Sequence, residues 1–236
     1  MIVRDKANFI KGLILGVTFL VTLVIMFMPK FGDGKNALEA SDRLFNSISK
    51  GSTYFIPELE KKTKLHIGNI FHVSVKLRNS ELAERVDKIL NVAGAKVITE
   101  GTLLEVSGDL GKILNVAVKD SDAMFYNRDS ELTAKYGFPG LDVMFGWWSA
   151  LKEIEKDLTR QKQFKEANLV SSVLKRGIEV GYNFFNIKPE SAFSRAGILS
   201  FALVFYVIYT LWWGFAILFL FEGIGLEMKA GSKREH

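Results

Sequence analysis

The chain has 236 residues, 48% of them hydrophobic and 12% aromatic, with no cysteine and a formal net charge of +5. This composition excludes a disordered chain, and the lack of thiols excludes disulfide staples, zinc–thiolate sites and thiolate-ligated iron–sulfur clusters. The charge is spread along the chain instead of gathered into a basic stripe, so no nucleic-acid partner is expected.

Residues 1–11 carry Arg4, Lys6 and Lys11 and lead into Gly12–Met28, 17 residues without a charge. As a helix this run is ~26 Å long, close to the ~30 Å hydrocarbon core of a bilayer. A cleaved signal peptide is the competing reading. However, the run exceeds the usual core of about 7–15 residues, and Pro29-Lys30-Phe31-Gly32-Asp33 offers no small-x-small cleavage site. Residues 12–28 are therefore expected to be an uncleaved transmembrane helix. Gly12 and Gly16 form a G-x-x-x-G within it, a spacing that lets another helix approach closely, and both are expected at a helix–helix contact.

Residues 29–195 read as one α+β domain. A helix is expected over Asn36–Lys50, with Leu38, Phe45 and Ile48 on one side and Gly51 as its stop. Tyr54, Phe55 and Ile56 before Pro57 form an apolar plug, either a buried loop or a docking contact. Ile70–Leu77 alternates Phe71, Val73, Val75 and Leu77 with polar residues, the period-two pattern of a strand with one buried face. Asn79-Ser80 caps a helix over Glu81–Ala93 that Gly94 ends. Lys96–Thr99 and Thr102–Ser107 read as a hairpin turning at Glu100-Gly101, and Leu110–Phe125 returns to helical spacing. The order over 70–125 is β-α-β-β-α, five of the six elements of a ferredoxin-like unit. The sixth is not visible in Asn127–Gly140, which is polar and broken by Gly137, Pro139 and Gly140. Residues 141–186 then read as a helical hairpin, with Pro189 placed to start the next helix. In its first arm the adjacent Trp147 and Trp148 point about 100° apart on a helix, one toward the core and one toward an edge, where it would anchor a partner.

Ala196–Phe221 is a second uncharged run, 26 residues long, expected as transmembrane helix 2. Tyr206, Tyr209, Trp212 and Trp213 lie in its middle and second half instead of at an interface belt, which favours packing against another protein helix. Glu222 opens the tail 222–236 and reads as a carboxylate at the membrane boundary. Lys229, Lys233 and Arg234 follow it, and with the N-terminal cations they place both termini in the cytoplasm and the domain outside, periplasmic in a Gram-negative cell.

No residue set carries recognisable chemistry. His66, His72 and His236 are scattered, Asp120 and Asp122 do not share a helical face, and Gly108–Lys112 lacks the phosphate-loop spacing. No cofactor, metal or nucleotide is expected. The expected function is that of a non-catalytic accessory subunit of a larger membrane complex, packing its spans on partner helices and bracing the complex with its outer domain. One alternative is a homo-oligomer that is ring- or channel-like, or of the kind that regulates polysaccharide chain length. The other is an extracytoplasmic sensor acting through a partner.

Overall fold

The computed structural model describes residues 3–226, so the expectations resting on Lys229, Lys233, Arg234 and His236 lie outside the described residues. The elements in chain order are α1 (Lys6–Phe27), α2 (Ala37–Ser52), α3 (Ile56–Lys64), β1 (Ile70–Lys76), α4 (Ser80–Val92), β2 (Lys96–Glu100), β3 (Leu103–Asp109), α5 (Leu110–Phe125), α6 (Asp129–Tyr136), α7 (Gly140–Arg160) and α8 (Phe164–Val173). A π-helical turn (Leu174–Ile178) joins α8 to α9 (Glu179–Asn183), and a short 3-10 turn (Phe193–Arg195) precedes α10 (Ala196–Gly223). The chain is thus a mainly helical α+β protein with one small antiparallel sheet. It divides into two compact units, residues up to 45 together with those from 191 on, and Asn46–Glu190.

The first unit contains two helices long and apolar enough to cross a membrane, Lys6–Phe27 and Phe193–Gly223. They run antiparallel and pack on each other along their length. Helix α1 begins inside the stretch expected as a tail. The Asp5 carboxylate accepts from the amides of Ala7 and Asn8 and so supplies the N-cap that a helix needs for its unpaired first N–H groups.

In the second unit the sheet order is β1-β3-β2, with both pairings antiparallel. Phe71, Val73 and Val75 are buried with Leu104 and Val106 opposite, as the period-two pattern requires. Asn79 caps α4 through the Leu82 amide, and Asp109 caps α5 through the Lys112 amide. Helices α4 and α5 bring Leu82, Val86, Ile89, Leu90, Leu110, Ile113 and Leu114 into the same core. Helix α7 turns at Gln161–Gln163 into α8, and the two pack together.

Three expectations are corrected. Gly51 does not stop α2 but lies inside it, where a Cβ would come 2.2 Å from the Glu190 carbonyl oxygen; the residue allows a close approach of the chain. The stripe of Leu38 and Phe45 is exposed, whereas Ser47 and Lys50 are the buried residues of α2. Pro189 starts no helix, since the next turn begins at Phe193.

Among the described residues there is no fourth strand. The segment expected as a broken loop holds α6, ended by Gly137 in the left-handed conformation (φ 80°). The open edge of β1 is covered by side chains of α7. The Asp157 carboxylate accepts from the Ser74 amide at 3.1 Å, and the Gln161 side-chain amide donates to the His72 carbonyl at 2.8 Å. These are the groups a neighbouring strand would have satisfied. Asp157→Ala is expected to cost about 1 kcal/mol and to speed hydrogen exchange at the Ser74 amide, with little change at Val106 on the interior strand. Equal acceleration at both would mean that the edge is not held this way.

Candidate functional site

Three constellations stand out, and each belongs to one unit. The first is the helical hairpin. Gly12 is buried against α10, where a Cβ would come 2.6 Å from the Leu220 nitrogen and 3.0 Å from the Ala216 oxygen. At Gly223 a Cβ would meet Phe9 Cα at 2.6 Å. The close seam is therefore built by Gly12, Ala216 and Gly223. Gly16 takes no part in it, since nothing lies within 4 Å of its would-be Cβ.

Phe19 is buried two helical turns beyond Gly12, beneath Tyr209 (centroids 4.3 Å), Trp213 (4.6 Å) and Trp212 (6.4 Å, edge-on). The Trp212 indole N–H donates to the Leu15 carbonyl at 3.1 Å. Tyr209 and Trp212 make a helix–helix contact with α1 of the same chain. Trp213 also stacks on Phe19 but remains 41% exposed, and Tyr206 is 66% exposed. Glu222 is half-buried and accepts from the Asn8 side-chain amide at 3.2 Å, so the carboxylate ties the hairpin ends together.

The second constellation is a set of buried polar groups in the second unit, Asn46–Glu190. Asp120, on α5, accepts from Tyr136 Oη at 2.5 Å and Lys135 Nζ at 2.7 Å, both on α6, and from Trp147 Nε1 at 2.9 Å, on α7. Tyr136 and Trp147 are fully buried. Burial, and then the neighbouring Asp120 charge, push the Tyr136 phenol well above its ordinary range. Trp147 is thus a core residue with a bonded N–H and cannot be a partner anchor, which corrects that expectation. Nearby, Asp122 accepts from Tyr54 Oη at 2.8 Å and Arg128 at 3.0 Å. Burial first, and then the Asp122 hydrogen bond, raise the Tyr54 phenol. Tyr54 also packs on Phe125 and Tyr126, while Phe55 lies under the Arg176 guanidinium at 5.1 Å.

Lys50 is buried as completely, and its ammonium donates to Asn127 Oδ1 (3.3 Å), the Phe184 carbonyl (2.9 Å) and the Ile187 carbonyl (2.5 Å). Three acceptors for three N–H donors satisfy it, and desolvation lowers its pKa. Together with the Glu190 amide donating to the Ser47 carbonyl at 3.0 Å, it fastens the start of this unit to its end.

The third constellation is an open cleft of about 430 Å³ between α7 and α9, lined by Phe145, Trp148, Glu179, Tyr182 and Asn183. Trp148 is half-buried and donates from Nε1 to Glu179 Oε1 at 3.2 Å. Of the two adjacent tryptophans, it is the one at the edge.

Neither the core role of Asp120, weighed in the sequence only as a catalytic or metal ligand, nor that of Lys50 has a local signal. A usable signal for α6 was present: Leu132 and Tyr136 at i and i+4, acidic residues in the first turn, Lys135 in the last and Gly137 just beyond. Among the described residues no three of His, Cys, Asp and Glu converge as metal ligands would. No protein-family model, no curated protein and no solved structure matches the chain.

Proposed function

We propose that the protein is a non-catalytic subunit of a larger membrane complex, inserted by its helical hairpin and bracing a partner with its outer domain. The observation that carries this reading is Tyr206. Its side chain is two-thirds exposed some ten residues into α10, about 15 Å along a helix, near the middle of a bilayer. Among the described residues nothing hydrogen-bonds its hydroxyl. A phenol left unpaired in hydrocarbon costs free energy, and a polar group from a neighbouring helix relieves it.

Tyr206 also borders an apolar groove of about 390 Å³ shared with Phe19, Met26, Phe205, Thr210 and Trp213, of a shape suited to side chains from another helix. The unused Gly16 leaves a second notch on α1 for close approach. The carboxylates support a non-catalytic reading, because the oxygens of Asp120 are occupied within the core by structural donors.

In this reading the β1-β3-β2 sheet with α4 and α5 is a ferredoxin-like unit that lacks its fourth strand, with α7 at the vacant edge. Arg4, Lys6 and Lys11 favour cytoplasmic termini and an extracytoplasmic domain, in the inner membrane and facing the periplasm in a Gram-negative cell.

Native mass spectrometry of the protein extracted from its own membranes in mild detergent tests the proposal. Other polypeptides at fixed stoichiometry, released by Tyr206→Leu but retained in the wild type, are the expected result. A homogeneous homo-oligomer would transfer the Tyr206 face to a second copy of this chain. A lone monomer would overturn the reading.

A further inference from the structure

We propose that the cleft between α7 and α9 binds a trimethylated or quaternary ammonium ion. Helix α7 contributes Phe145 and Trp148, whose rings lie nearly parallel (16°) with centroids 6.0 Å apart. Helix α9 contributes Tyr182, Asn183 and the carboxylate of Glu179. The indole N–H of Trp148 fixes that carboxylate from one side. Among the described residues no Lys, Arg or His forms an ion pair with it, so a half-buried carboxylate faces the aromatic cleft unpaired, while Lys152 is engaged by the Trp148 ring.

The backbone supplies an independent observation. The π-helical turn at Leu174–Ile178 ends immediately before Glu179. The residue such a turn inserts shifts the phase of the following helix by about 100°, and it is with this phase that Glu179, Tyr182 and Asn183 line the cleft with the α7 aromatics. Turns of this kind cost hydrogen-bond geometry and recur at functional sites.

The lining selects the ligand class. Aromatic faces attract a cation through their quadrupoles but accept few hydrogen bonds. A primary ammonium would leave N–H donors unsatisfied against the rings, whereas a trimethylated or quaternary one carries one or none and is weakly hydrated. A neutral ligand would desolvate Glu179 without compensating its charge, and an anion would be repelled by it. The Lys152 ammonium, 4.5 Å from the Trp148 ring centroid, shows that this ring already draws a cation.

The test uses the full chain in dodecyl maltoside, a detergent without an ammonium group, titrated with choline chloride by isothermal calorimetry. The neutral carbon isostere 3,3-dimethylbutan-1-ol and methylamine serve as controls. Saturable choline binding is expected, with both controls about tenfold weaker or more. Glu179→Gln keeps the shape and an acceptor for Trp148 and is expected to weaken choline about tenfold. Lys152→Met removes a competing cation and is expected to strengthen it, an effect that damage to the fold would not produce. Tyr182→Ala, on an exposed helical surface, should weaken binding with an unchanged circular dichroism spectrum. Absence of saturable choline binding below about 50 mM, equal binding of the isostere, or indifference to Glu179→Gln would each overturn the assignment.

Discussion

Asp120→Ala is expected to destabilise the unit Asn46–Glu190 by about 2–6 kcal/mol, measured as the urea midpoint of the full chain in detergent by near-ultraviolet circular dichroism. The substitution removes the acceptor shared by the Tyr136 hydroxyl, the Trp147 indole and the Lys135 ammonium. Lys135 is partly exposed and can turn to water. Tyr136 and Trp147 are fully buried and cannot, so two polar groups are stranded at about 1–3 kcal/mol each. Asp122→Ala is the informative contrast. Its partners Tyr54 and Arg128 reach solvent, and water replaces the lost acceptor at a cost of under about 1 kcal/mol. Equal losses from the two substitutions would refute a specifically buried Asp120 network.

The same network sets a pH dependence whose sign is fixed. Burial and then Asp120 raise the Tyr136 pKa above the ordinary value of 10.0. The contribution from keeping this phenol neutral is therefore complete below pH 10. Above it, the unfolded chain ionises while the folded one does not, and stability falls by about 1.4 kcal/mol per pH unit. Lys50 acts in the opposite sense. Desolvation lowers its pKa below 10.5, so the unfolded chain binds more protons there and stability rises as pH climbs toward that value. Tyr136→Phe should make the falling limb above pH 10 shallower, leaving the part due to the raised Tyr54 phenol, and leave the rising limb intact.

The second large effect concerns the hairpin. Gly12→Val and Gly223→Val should each separate α1 from α10, because the added carbons would overlap backbone atoms at about 2.6 Å that no rotamer change can move. Overpacking of this kind costs about 1–3 kcal/mol, enough to change the closed-to-open ratio about 5–160-fold. Gly16→Val should leave the hairpin closed, since its surroundings are open. The chain has no cysteine, so Asn8→Cys with Glu222→Cys gives a clean pair for a short bismaleimide at a point where the native side chains touch at 3.2 Å. Cross-linking that survives Gly12→Val, or fails with Gly16→Val, would mean that the seam runs along another face.

These contrasts show which features the sequence could reveal. The elements over 70–125 were readable because their signals are local: alternation in Ile70–Leu77, the Asn79 cap, and the turn at Glu100-Gly101. The partner of a membrane helix is not a local property. Gly12 and Gly16 are equivalent by spacing, and only the register of α10 makes one a contact and leaves the other open. Phe19, the ring on which the aromatic cluster closes, looks like any other apolar residue in its run. Asp120 was illegible because its donors lie 15 to 27 positions away, Lys135 and Tyr136 on an α6 read as a polar, broken loop and Trp147 on α7. The cleft beside Trp148 depends on a π-helical turn in Leu174–Ile178 that no composition or period announces.

The side-chain cover on β1 bears on symmetry. A sheet with two free edges can add copies of itself without limit, as fibres do. Here Asp157 and Gln161 occupy one edge, and only β2, four of whose five residues are exposed, still presents an edge to a second sheet. Two identical β2 strands can pair antiparallel only about a twofold axis, after which both edges of the joined sheet are closed. Growth by strand addition through the β2 edge therefore terminates at two molecules.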